Sequence, residues 1–130
     1  MEGNEVLTAE ERAVKCAAFA LDKKALDVKI FSIGKISSIA DYLVLASGRS
    51  DKQVQAIAES VKVGLKPWDR PIDTEGVDEG RWIVMDYGDI IVHVFQEEVR
   101  AIYNLDELWG RAGQVAIPEE LLWDKPAREA

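Results

Sequence analysis

Gly34, followed by Asp41 at the entry to an apolar run, has the form of a glycine turn leading into a strand carboxylate. Nucleotidyl transfer on that frame needs two carboxylates alternating by two, so that both share one strand face and hold magnesium. Position 43 is Leu43, so one carboxylate stands where a metal pair needs at least two, and Asp41 reads better as a cap or turn residue. Asp86 and Asp89 lie three apart across a turn, where side-chain bonds to the turn backbone explain both more simply than a shared ion. His93 is the single histidine, with no Cys beside it, which argues against zinc and for a satisfied, half-buried imidazole. Cys16 falls on an apolar helix face, and Ser47 has no neighbouring histidine to activate it. Gly48-Arg49-Ser50 opens a helix and offers N–H groups to an anion, but without the glycine-rich patterns that hold nucleotide phosphates. These residues point to binding rather than catalysis, with no metal and no cofactor.

The stretch WIVMDYGDIIVHVFQEEVRAIYNLDELW, from Trp82 to Trp109, places a tight hairpin directly before a helix. Trp82 to Met85 and Ile90 to Phe95 are apolar strand runs flanking Asp86-Tyr87-Gly88-Asp89, a turn sequence. Alternation puts Trp82, Val84 and Asp86 on one face and Ile83, Met85 and Tyr87 on the other. The first face is the less apolar. Large aromatics at a hairpin are either sheet core or interface anchors, and for Trp82 the pattern favours neither. Val99, Ile102, Tyr103, Leu105, Leu108 and Trp109 then recur at helical spacing, with Gly110 as the stop, predicting one helix.

Upstream, Thr8-Ala9-Glu10-Glu11 is a capping box ahead of a helix whose apolar face carries Val14, Ala17, Ala18 and Leu21. Val28 to Ile33 and Tyr42 to Ala46 read as strands of one sheet. Ser50 and Gln53 repeat the capping signal before Val54, Ile57, Ala58, Val61 and Leu65, and Gly64 with Pro67 ends that helix near Lys66. Arg70 to Thr74 is a candidate edge strand containing Pro71, and Glu75 to Arg81 a flexible acidic loop. The order predicts a single α/β domain over residues 1–114, with a mixed sheet packed by helices. Residues 115–130 form a tail with one helical turn at Pro118 to Trp123.

A chain of 130 residues suits one domain that buries about two thirds of its extended surface, and needs no staple. A lone cysteine, no run approaching the roughly 20 apolar residues of a membrane span, and a polar, acidic start place it in the cytoplasm, away from membranes. Net charge is −8; residues 1–65 carry nine basic and nine acidic side chains, residues 66–130 seven and fifteen. Phosphate backbones are bound with Lys and Arg, so little direct nucleic-acid contact is expected of the acidic half. A basic protein suits it better, although acidity also serves plain solubility.

The chain resembles the Iojap, or ribosomal silencing factor (RsfS), family. The residues carrying this are Asp27-Val28, Ser37-Ser38-Ile39-Ala40-Asp41-Tyr42, Ala46 to Ser50, Gln53 to Ala58, Glu75-Gly76, Trp82, Asp86-Tyr87-Gly88-Asp89, Val92-His93-Val94-Phe95, Arg100, Tyr103 and Leu105-Asp106-Glu107-Leu108-Trp109. They span about residues 8 to 112; Asp106 stands where many members have Glu. The resemblance implies a nucleotidyltransferase-like topology lacking the catalytic carboxylate pair, consistent with Leu43, and a protein that is not an enzyme. It implies binding to the large ribosomal subunit through ribosomal protein L-fourteen, which blocks joining of the small subunit and represses translation when nutrients are limiting. Carried over by motif position, Trp82, Asp86, Tyr87, Gly88 and Asp89 are the expected contacts, with Asp89 a candidate partner for a positive charge. Alanine at Trp82 or Tyr87 is then expected to abolish subunit binding and leave folding largely intact. His93, Phe95, Arg100 and Tyr103 serve equally as supports of the hairpin. A degenerate nucleotide-binding protein using Asp41 with Asp86 or Asp89 is the rival reading, and a homodimer off the ribosome a further state.

Overall fold

The computed structural model describes residues 6–122. Helix α1 spans Ala9–Leu21 and starts from the complete capping box: Thr8 Oγ1 accepts the Glu11 N–H, and Glu11 Oε1 accepts the Thr8 N–H. Its buried stripe is Ala13, Cys16, Ala17, Ala20 and Leu21, so the contact face is rotated from the expected one and Val14 and Ala18 fall on its flank. The small side chains let the next helix come close. Helix α2, Asp51–Leu65, packs there with Gly64 against the Phe19 ring, where a Cβ would lie 2.6 Å from ring carbon. Ser50 caps α2 through the Gln53 N–H, but Gln53 Oε1 accepts from Arg49, one residue earlier than a capping box requires. Gln53 Nε2 instead donates to the carbonyls of Lys23 and Lys24, tying α2 to the end of α1.

Strands β1 (Leu26–Ser32) and β2 (Tyr42–Gly48) pair antiparallel, with a bulge at Asp27, whose φ is 51°. After α2 the chain runs along the far edge as β3 (Asp73–Glu75), then β4 (Trp82–Asp86) and β5 (Ile90–Gln96) form the hairpin. The predicted edge strand at Arg70 to Thr74 is displaced, because Pro71 cannot donate to the ladder and pairing starts beyond it. β5 lies parallel to β2, all other pairs are antiparallel, and the order is β3-β4-β5-β2-β1-β6. The sheet is therefore mixed and the domain α/β, as the α2 crossover requires.

The helix past the hairpin is two helices, not one: α3 (Glu97–Tyr103) and α4 (Leu105–Leu108). Asn104 adopts the left-handed conformation, φ 50° and ψ 50°, donates its N–H to the Arg100 carbonyl and its side-chain amide to Glu107. Asn tolerates that geometry, so helical periodicity continues through a break it does not reveal. A two-residue strand, β6 (Gly113–Gln114), then covers the edge of β1, and Val115 and Ile117 pack on the core. The start of the tail is thus built onto the sheet. Glu119–Leu121 forms a 3-10 turn; Trp123, the end of the expected helical turn, lies outside the described residues.

The sheet has two unlike faces. One, with Ile30, Val44, Ile83, Met85, Ile90, Val92 and Val94, lies buried under α1 and α2; fully burying each such side chain contributes about 1.5–3 kcal/mol. The other carries Phe31, Leu43, Leu45 and Phe95 beneath Val99, Leu105 and Trp109, and α3 and α4 cover only part of it.

Candidate functional site

The uncovered part is the β4–β5 face. Trp82 stands opposite Phe95, Val84 opposite His93, and Asp86 opposite Ile91. Strand alternation thus distributes the hairpin residues as expected, and Trp82, Val84, Ile91 and His93 are all half-buried. Trp82 is therefore part core and part surface. Its ring lies 5.1 Å from Phe95, 5.8 Å from His93 and 4.6 Å from Tyr103 of α3, centroid to centroid. Tyr103 is 57 % exposed, so the aromatic floor continues onto α3; Ile102 and Leu108 are exposed to a greater degree.

Trp82 Nε1–H donates to His93 Nδ1 at 2.9 Å. An indole only donates, so Nδ1 is the acceptor and the ring carries its proton on Nε2. Burial pushes the imidazole down to about 4, leaving it neutral at physiological pH. In the loop between β3 and β4, Gly76 holds φ 87° and a Cβ there would collide with the Trp82 carbonyl oxygen, so the approach of this loop to β4 requires glycine.

Carboxylates border the floor. Asp73 on β3 pairs in register with Asp86, and Glu75 with Val84, which puts three acids along one margin. Like charges directly opposite destabilise a sheet. Asp86 Oδ1 accepts the Gly88 N–H at 2.8 Å, which closes the turn with Gly88 at φ 93°. No ion pair engages Asp73, Glu75 or Asp86 among the described residues.

Two of the hairpin residues point the other way. Tyr87 is only 5 % exposed, packed in the helix-side core, and its hydroxyl has no partner there; burial raises its pKa. Its ring is a core component, so the expectation that Tyr87→Ala leaves the fold intact is corrected. Asp89 accepts two bonds from Arg12, at 2.6 and 3.1 Å, while Arg12 also reaches Asp69 at 2.6 Å. The side-chain bonds from Arg12 hold the Asp89 carboxyl below its ordinary range. The positive charge foreseen for Asp89 is thus supplied from within, by a residue 77 positions away that sequence spacing could not nominate.

Among the supports, Phe95 is fully buried and Arg100 is 5 % exposed. Arg100 donates to both Asp106 oxygens (2.9 and 2.8 Å), to the Asp27 carbonyl (2.6 Å) and to Ser47 Oγ (2.8 Å), locking α3, the β1 bulge and β2 together. Asp106 is held down to about 2 by Arg100, with Lys29 adding to it. Ser47 is therefore an acceptor in a structural network. Asp86 and Asp89 lie on opposite sheet faces and do not converge with each other; Asp41 meets Asp89 only through backbone, its N–H reaching the Asp89 carbonyl at 2.9 Å. Among the described residues no three His, Cys, Asp or Glu side chains are grouped to hold a metal. Cys16 is fully buried and its thiol pushed up to about 12, as inert packing requires.

A half-open aromatic face with a carboxylate margin thus occupies one side of a single-domain α/β sheet. The family model described as ribosomal silencing factor during starvation matches residues 6–130, and the chain belongs to that family. It is 43 % identical over 105 residues to the ribosomal silencing factor RsfS of Bacillus subtilis (strain 168), covering 79 % of this chain and 89 % of that one. It is 27 % identical over 107 residues to the chloroplastic protein Iojap of Zea mays, covering 82 % of this chain and 46 % of that one. A crystal structure of a protein from Chromobacterium violaceum superposes with a TM-score of 0.78 at 30 % identity, covering 86 % of this chain and 93 % of that one. One from Bacillus halodurans gives 0.69 at 36 %, covering 83 % and 96 %.

Proposed function

We propose that this chain binds the large ribosomal subunit through ribosomal protein L-fourteen, at the surface where the small subunit would join, and represses translation by occupancy when nutrients are limiting. The observation that carries this reading is the β4–β5 face. Trp82 and Tyr103 offer apolar anchors, and Asp73, Glu75 and Asp86 supply negative charge that no cation of this chain neutralises among the described residues. A basic protein surface would relieve the Asp73–Asp86 repulsion while burying the anchors. An interface of roughly 1,600 Å² is enough for specific binding, and the bulk of the domain then excludes the opposing subunit without any chemical step.

Asp86 and Gly88 shape the turn at the margin of this interface, whereas Asp89 and Tyr87 fix it from below, through Arg12 and the core. Off the ribosome the same exposed floor, which Tyr103 continues onto α3, is the surface through which two copies would pair, in competition with the subunit. The site of action is the bacterial cytoplasm; no helix among the described residues is long and apolar enough to cross a membrane. Binding of purified L-fourteen by calorimetry tests the contact: Trp82→Ala should lose at least tenfold in affinity with the fold retained. Unchanged affinity of the folded variant would reject this face.

A further inference from the structure

On the flank of the domain, a groove of about 520 Å³ runs between the end of α2 and β3, and three cations line it: Lys62, Lys66 and Arg70. All three are exposed. Among the described residues, Arg12, Lys29 and Arg100 are basic side chains that lie within ion-pair distance of an aspartate. Among the described residues, Lys62, Lys66 and Arg70 form no such pair, although Glu59 and Asp73 line the same groove. Asp73 instead accepts the backbone N–H of Thr74.

Cations in the last turn of a helix complement its dipole, which accounts for Lys62 and Lys66 by themselves. It does not account for Arg70, which comes from the loop after the helix and lines the same groove. Lys62 and Lys66 are four apart, so they stand on one ridge of α2. The groove borders β3, and β3 pairs with β4, the strand of Trp82 and Asp86. The strip thus lies around the edge strand β3 from the aromatic floor, on the side of the sheet where α2 packs.

We propose that Lys62, Lys66 and Arg70 form a second contact, which takes the phosphate backbone of ribosomal RNA beside the protein that occupies the floor. The proposal rests on the large-subunit reading above. It divides the labour by charge: the acidic margin meets basic protein, and the basic strip, on the neighbouring edge, meets polyanion. The acidic majority of the chain still avoids RNA, which keeps the contact confined to one edge and sets the orientation of the bound domain.

The test compares the wild type with the triple variant Lys62→Gln, Lys66→Gln, Arg70→Gln, measuring affinity across a potassium chloride series for purified large subunits and for isolated L-fourteen. Three exposed side chains are changed, and an unaltered melting curve verifies the fold. For large subunits, the slope of log affinity against log salt should fall by about 2 in magnitude, near 0.7 for each phosphate no longer neutralised. Affinity for isolated L-fourteen should be unchanged. An unchanged slope on large subunits overturns the proposal, and so does an equal loss on both targets, which would put the groove on protein. Wild-type binding to subunits but not to L-fourteen would reject the protein contact while the slope comparison still decides the RNA contact. Binding to neither would reject both.

Discussion

Trp82 and His93 are joined by a single hydrogen bond of 2.9 Å from indole Nε1–H to imidazole Nδ1, across adjacent strands, in the floor of the open face. This bond fixes which way the Trp82 ring points. Because His93 is the only histidine, its titration can be followed by NMR without assignment ambiguity. It should titrate near 4 instead of its ordinary 6.5. In Trp82→Phe the value should rise, since no donor then faces the nitrogen that must take the proton. A value that stays put would show that burial alone sets it.

The same group makes stability depend on pH. Above about 6.5 the imidazole is neutral both folded and unfolded, and its contribution is fully present. As pH falls from 6.5 toward 4, the unfolded chain takes up a proton that the folded one refuses, and stability drains away; below 4 the loss levels off. The loss amounts to something on the order of 3 kcal/mol. Denaturant melts at pH 7, 5.5 and 4.5 in wild type and His93→Gln check this: the slope over that window should be smaller in the variant.

Tyr87 separates core from contact. Tyr87→Ala empties a site in the helix-side core and should cost about 3–5 kcal/mol. Tyr87→Phe removes a buried hydroxyl that has no partner and should be neutral or slightly stabilising. Thermal melts distinguish the two. Subunit binding by Tyr87→Phe should match the wild type, because the hydroxyl faces away from the open face.

Arg12 and Asp89 give a sharper distinction. If Asp89 acts by fixing the turn, Arg12→Ala should weaken subunit binding as much as Asp89→Ala, although Arg12 lies under the helix side of the sheet. Their coupling in a double-mutant cycle should be about 1 kcal/mol, kept small by partial exposure of both side chains. The pair's contribution is present above the ordinary carboxylate value and declines as pH falls through the lowered value of Asp89. Loss of binding in Asp89→Ala alone would instead make Asp89 a direct contact.

Local signals carried most of the fold. Thr8 and Glu11 cap each other within four residues, Ser50 caps α2, and the hairpin shows its turn and alternation directly in the chain. What escaped depends, Asn104 apart, on distant partners. Asn104 breaks a periodic helix because its own backbone tolerates φ 50°, which apolar spacing does not register. The two residues of β6 exist only because the β1 edge accepts them. At the site, alternation placed Trp82 and Tyr87 on opposite faces, but only the packing of α1 and α2 shows that the Tyr87 side is closed. Arg12 and Asp73 became visible only through pairings 77 and 13 residues away along the chain.

Occupancy of the large subunit by this protein is expected to prevent joining. Purified large and small subunits should be mixed with this protein and resolved on a sucrose gradient, with each fraction probed for it. Free subunits should accumulate, the protein should travel with the large one, and Trp82→Ala should restore joining. Full ribosomes forming unhindered, with the protein left at the top of the gradient, would contradict this.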